Sequence, residues 1–191
     1  HITSTTGMDA LTHAVESYIG RFYNSADTRI KAILAVEMIF RNLEKAYKDG
    51  KDLEARGQML RASYYAGFSF TRGCVGYVHG IGHNLGGMYG VPHGLAMSVI
   101  LPYVLEWYGE AAHKPLAELA EVAGVSTFGM SRSQKARAFI EAIKDMNSRM
   151  NIPSKFDLIK DGDIPTLAER ALNECNPFYP VPRIMNKEEC M

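Results

Sequence analysis

The sequence predicts an all-α domain. Apolar residues recur at helical rather than alternating spacing along most of the chain. Val, Ile and Thr do not cluster into short runs between turns, so no strand is expected. Residues that start and stop helices bracket each periodic stretch.

Taken in order, Thr6 is the expected N-cap of a first helix that Gly20 closes. A long second helix starts near Ser25, with Ile30, Ile33, Leu34 and Met38 on one face, and stops at Lys48-Asp49-Gly50. A third runs from about Asp52 to the break at Thr71-Arg72-Gly73. A glycine-rich helix is predicted over residues 75–88. Pro92 marks a turn, and the next helix opens near His93. Its internal Pro102 should kink or end it, because proline lacks the N–H and clashes with the preceding turn. Amphipathic stretches follow at 114–122, 131–150 and 165–175. Residues 176–183 hold three prolines and are expected to run extended over the surface.

The chain has 191 residues, enough for one domain with a real core. Apolar residues make up 47% and charged residues 22%, the balance of an ordinary globular protein. Lys plus Arg equals Asp plus Glu, which argues against a basic nucleic-acid surface. No apolar run is long enough to span a bilayer, and the first residues do not read as a signal peptide. Cys74, Cys175 and Cys190 are odd in number and form no C-x-x-C pair, which points to a reducing, cytoplasmic setting.

The chemistry is concentrated in two short segments. Asp9 and His13 lie four apart on one predicted helix face, and His79 and His83 repeat that spacing. His93 follows just after Pro92. Helices between the segments are long enough to go out and return, which brings the two segments together. Each residue has a bland reading. Asp9 fits the third position of a capping box with Thr6. His79 and His83 fit small-residue neighbours at a tight helix crossing among Gly76, Gly80, Gly82, Gly86 and Gly87. Core filling does not explain all five, because buried polar rings without partners cost several kcal/mol. Three imidazoles and one carboxylate suit Fe2+ or Zn2+ and disfavour Ca2+ or Mg2+, which prefer oxygen.

Several activities are excluded. Gly80-Ile81-Gly82 begins like a dinucleotide fingerprint, but Leu85 stands where the third glycine belongs and no strand precedes it. The glycines instead allow close approach of a neighbouring backbone or a flat cofactor ring. The segment HGIGH lacks the glutamate of a zincin. Only one E-x-x-H occurs, Glu110 to His113, where a di-iron bundle needs two, and there is no G-x-S-x-G elbow.

The segments GMDALTHAVE (7–16) and VHGIGHNLGGMYGVPHG (78–94) resemble the two signatures of the iron-containing, or group III, alcohol dehydrogenase family. The resemblance extends through YPVPR (179–183). It implies the helical C-terminal domain of the fold shared with dehydroquinate synthase, here spanning 1–191 as a single metal-binding domain. The N-terminal α/β domain that binds the nucleotide is absent. By the same resemblance, Asp9, His13, His79 and His93 match the four ligands of an Fe2+ (or Zn2+) ion. His83 matches a histidine beside the nicotinamide, and Phe70 an aromatic residue near the substrate. The implied activity is NAD(P)-dependent interconversion of small alcohols with aldehydes or ketones by hydride transfer. Catalysis then needs the missing half; the family is often oligomeric, and the sequence leaves open whether this chain forms a homo-oligomer. A metal-dependent cyclase or lyase of the dehydroquinate synthase type, and a metal-binding fragment without turnover, are the alternatives.

Overall fold

The computed structural model describes residues 1–191. Its elements are α1 (Ile2–Ile19), α2 (Ala26–Lys48), α3 (Leu53–Gly73), α4 (Tyr77–Tyr89), α5 (His93–Tyr108), α6 (Glu110–Val122), α7 (Arg132–Arg149), α8 (Ile164–Cys175) and α9 (Lys187–Cys190). A single 3-10 turn, Asp161–Asp163, leads into α8. There is no strand, so the all-α expectation holds.

α1 is the central element. Met8, Leu11, Ala14 and Val15 are fully buried, and Thr12, Glu16 and Ser17 are buried with them. α2, α3 and α5 pack around it. The helix starts at Ile2, earlier than the Thr6 cap expected from the sequence. Thr6 lies inside it, and its hydroxyl donates to the Ile2 carbonyl at 2.9 Å. Ser4 and Thr5 bond back to His1 in the same way. This local back-bonding lets a hydroxyl-rich stretch continue as helix. It also removes the capping-box reading of Asp9, because Thr6 is not the cap.

The caps of α2 and α3 fall where the sequence puts them. Ser25 Oγ accepts from Thr28 N at 3.2 Å, and Asp52 Oδ1 accepts from Ala55 N at 2.9 Å. The buried face of α2 differs from the expected one. Ile30 is exposed, and Ile33, Leu34 and Met38 are only half-buried. The buried seam is Ala32, Ala35, Val36, Ile39 and Leu43. α2 lies against α3, which brings fully buried Ala62 and Ala66. Small residues let the two helices approach closely, and the bulkier side chains flank the seam.

Pro102 does not end α5, which continues to Tyr108. A proline at this position leaves the carbonyl of residue 98 without its helical donor. Here Asn147 on α7 donates Nδ2 to the Ser98 carbonyl at 2.7 Å, in a buried setting. The missing bond is supplied from a neighbouring helix.

The proline-rich segment also departs from a simple surface strap. Pro180, Val181 and Pro182 are buried. The Arg21 amide donates to the Pro180 carbonyl at 2.8 Å. Tyr77, at the start of α4, donates to Asn176 Oδ1 at 2.7 Å and accepts from the Met185 amide at 2.9 Å. The tail thus ties down the beginning of α4. No helix is long and apolar enough to cross a membrane.

One close contact sets the geometry of the next section. A Cβ on Gly94 would lie 2.6 Å from the Thr5 carbonyl oxygen and 2.9 Å from its carbon. Backbone cannot yield to such a contact, so glycine is required here for the first turn of α5 to rest on α1. That contact places His93 beside Asp9, one helical turn beyond Thr5.

Candidate metal centre

The site forms where α1, α4 and α5 meet. α1 presents Asp9 and His13 on one face, α4 presents His79, and α5 opens with His93. One donor atom from each of these four residues lies within 4.8 Å of all the others. The three Nε2 atoms converge on one oxygen. Asp9 Oδ1 is 3.3 Å from His93, 3.8 Å from His79 and 4.0 Å from His13.

Two of these atoms are orphans. Asp9 Oδ1 and His79 Nε2 are buried and have no hydrogen-bond partner. Leaving an acceptor and a ring nitrogen desolvated without partners is costly. A cation between them removes that cost, so the donor set fits a single metal ion. Three imidazoles and a carboxylate, with no thiolate, suit Fe2+ or Zn2+.

The electrostatics agree with neutral imidazoles at most of the cluster. Burial pushes His13 down to about 4, with the Asp9 charge pulling the other way. Burial also lowers His93, again against Asp9. His79 behaves differently. Burial acts to lower it, but its hydrogen bond to Glu16 and the charges of Glu16 and Asp9 together raise it. The His13 ring is held between two others: Phe70 stacks on it at 4.1 Å and His79 at 4.6 Å, each at 16°.

His83 stands beside the four donors but outside their group. Its ring centre is 5.6 Å from that of His79 and 5.4 Å from that of His93. Its Nδ1 is 2.7 Å from Glu174 Oε1 on α8, and the Tyr179 hydroxyl donates to the same oxygen at 2.9 Å. The structure therefore brings Asp9, His13, His79 and His93 together, with Phe70 against His13 and His83 alongside.

Three neighbours were not singled out by the sequence reading. Glu16 carries a legible mark: Asp9, His13 and Glu16 are spaced by four and three, one helix face, and Glu16 is the one charged residue in the mainly apolar run of residues 14–19. Glu174 and Tyr179 carry no such mark, because their role comes only from α8 and the tail folding back on α4. The groove over α1 and α3 gives no help either. It measures about 530 Å3, lies between α1 and α3 around Thr6, Ala10, Arg56 and Leu60, and contains none of the four donors. The donor cluster is instead open, with the His93 and His83 side chains 46% and 42% exposed.

A helical domain with this centre defines a class that comparison with known proteins makes specific. Residues 3–191 match the model of the C-terminal domain of the Fe-containing alcohol dehydrogenase family, and the chain belongs to that family. It is 42% identical over 190 residues to 1,3-propanediol dehydrogenase of Citrobacter freundii, covering 98% of this chain and 49% of that protein. It is 38% identical over 185 residues to alcohol dehydrogenase 4 of Saccharomyces cerevisiae, covering 94% and 47%. A crystal structure of a 1,3-propanediol oxidoreductase superposes with a TM-score of 0.93 at 40% identity, covering 98% of this chain and 49% of the other. An alcohol dehydrogenase from Oenococcus oeni superposes with a TM-score of 0.92 at 36% identity, covering 97% and 49%. The chain spans about half the length of these relatives.

Proposed function

We propose that this chain is the metal-binding half of an NAD(P)-dependent alcohol dehydrogenase acting on small alcohols and the corresponding aldehydes or ketones. The observation that carries the reading is the convergence of Asp9, His13, His79 and His93, with two buried donor atoms left unpaired. These four residues would hold Fe2+ or Zn2+. Family membership favours iron, and relatives named as 1,3-propanediol, methanol and lactaldehyde enzymes favour a small substrate. The half-length coverage supports a nucleotide-binding domain outside these residues. Free thiols at Cys74, Cys175 and Cys190 support a reducing, cytoplasmic setting.

When bound, the metal supplies Lewis acidity toward the substrate oxygen, and the nicotinamide supplies the hydride acceptor or donor. The chain's own residues do the rest. His13 stays neutral and keeps a lone pair available near pH 7. Phe70 fixes the His13 ring by stacking and offers an apolar wall to the substrate carbon chain. His83, held at Nδ1 by Glu174, has Nε2 left to exchange the hydroxyl proton with solvent.

The test is NAD(P)H oxidation with a small aldehyde by the full-length, metal-loaded protein. Turnover that is lost with the metal and restored on reloading is expected. Full turnover in metal-free protein would overturn the reading. His83→Ala should lower kcat far more than metal content. An unchanged kcat discards the proton-transfer role.

A further inference from the structure

Glu16 is a buried carboxylate on the central helix α1, and both its oxygens are committed. Oε2 is 2.6 Å from His79 Nδ1, and Oε1 accepts from the Val78 amide at 2.8 Å. The glutamate side chain is 1% exposed and the histidine 3%. Val78 is the second residue of α4, where backbone amides lack helical partners. The N-cap, Gly76, has no side chain to cap them. A Cβ there would lie 2.8 Å from Glu16 Oε1, so the glycine makes room for a carboxylate reaching in from α1. Negative charge is favoured at a helix N-terminus.

We propose that Glu16 is a positioning residue of the metal centre, whose two oxygens lock α4 to α1 and hold His79 with its Nε2 lone pair facing the other donors. The inference rests on the metal reading above. A carboxylate only accepts, so Nδ1 must carry the proton in this bond. In the neutral ring Nε2 is then bare, and Nε2 is the orphaned atom that faces Asp9 Oδ1. Such outer partners set the tautomer and orientation of a ligating histidine.

The geometry makes a discriminating variant available. Glu16→Gln is nearly isosteric but has one acceptor and one donor group. If its oxygen serves the Val78 amide, its NH2 faces His79 Nδ1 and favours the tautomer with the proton on Nε2. If it flips, its NH2 faces the Val78 amide and the cap is lost. No orientation reproduces both bonds.

The experiment compares full-length wild type and Glu16→Gln by chelator-competition titration with Zn2+, by the visible ligand-field spectrum of the Co2+ form, and by melting of the metal-free proteins. The expected result is Zn2+ affinity weakened by about 10–100-fold, with an altered Co2+ spectrum. A purely structural role would lower the melting temperature while leaving the affinity and spectrum of the folded variant unchanged. That result overturns the inference and leaves the proposed function standing. Wild-type protein that binds neither ion overturns the metal reading, and the inference with it. If the variant does not fold, histidine 15N correlation spectra of wild type decide. A proton on His79 Nδ1 with Nε2 unprotonated or ligated upholds the inference, and a neutral ring protonated only at Nε2 overturns it.

Discussion

No partner within the fold explains the buried Oδ1 of the half-buried Asp9. Its Oδ1 makes no hydrogen bond, yet three imidazole nitrogens lie 3.3–4.0 Å away. Asp9→Asn keeps the shape and removes the charge, and should weaken Fe2+ or Zn2+ binding at least tenfold. Titration against a competing chelator checks this, and unchanged affinity would remove Asp9 from the ligand set. Gly94→Ala makes a second case at this scale. The added methyl meets Thr5 backbone at 2.6 Å, so α5 must move away from α1. A loss of about 1–3 kcal/mol is expected from overpacking, read by denaturant melts. Weaker metal binding should accompany it, because His93 moves with its helix. At this scale much was legible. Four-residue spacing exposes Asp9 with His13 and His79 with His83. The choice of His93 rather than His83 as a fourth ligand candidate came from family resemblance, not from spacing.

Helices were legible wherever local chemistry marks them. Ser25 and Asp52 cap α2 and α3 because their side chains reach amides three residues on, an interaction contained within the segment. Two features escaped these rules, one for a local reason and one for a distant one. Thr6 lies inside α1 and does not cap it, because its hydroxyl, like those of Ser4 and Thr5, bonds back to a carbonyl of the preceding turn. Pro102 is tolerated because α7 supplies Asn147, and no reading of residues 93–108 alone could show this. The explanation is testable by a double-mutant cycle. Asn147→Ala should cost about 1–3 kcal/mol, the penalty for an unsatisfied buried carbonyl. The cost should shrink in a Pro102→Ala background, where the residue 102 amide again serves Ser98. Equal costs in both backgrounds, measured by chemical denaturation, would show that Asn147 does not compensate for the proline.

For the whole molecule, the donors are spread over α1, α4 and α5, so an ion there ties three helices together. A ligand that binds only the folded state stabilises it by mass action. At free metal about 100 times Kd the gain is about 2.7 kcal/mol. Melting temperature should rise with free Zn2+ and fall after chelation, and the rise should vanish in a His79→Ala/His93→Ala variant. The all-α class was legible from periodicity because helices such as α2, α6 and α7 each bury one stripe, even though the central α1 is buried nearly all round. The Glu174–His83 contact and the buried tail were not, because they join parts of the chain far apart in sequence. Alternation and capping rules are silent on such pairings.

Metal content tests the central claim most directly. Protein purified anaerobically, and reconstituted with Fe2+ or Zn2+ where needed, should carry close to one ion per chain, and the His79→Ala/His93→Ala variant should carry almost none. Wild-type protein that stays metal-free after reconstitution, or a variant that keeps its ion, would contradict the account.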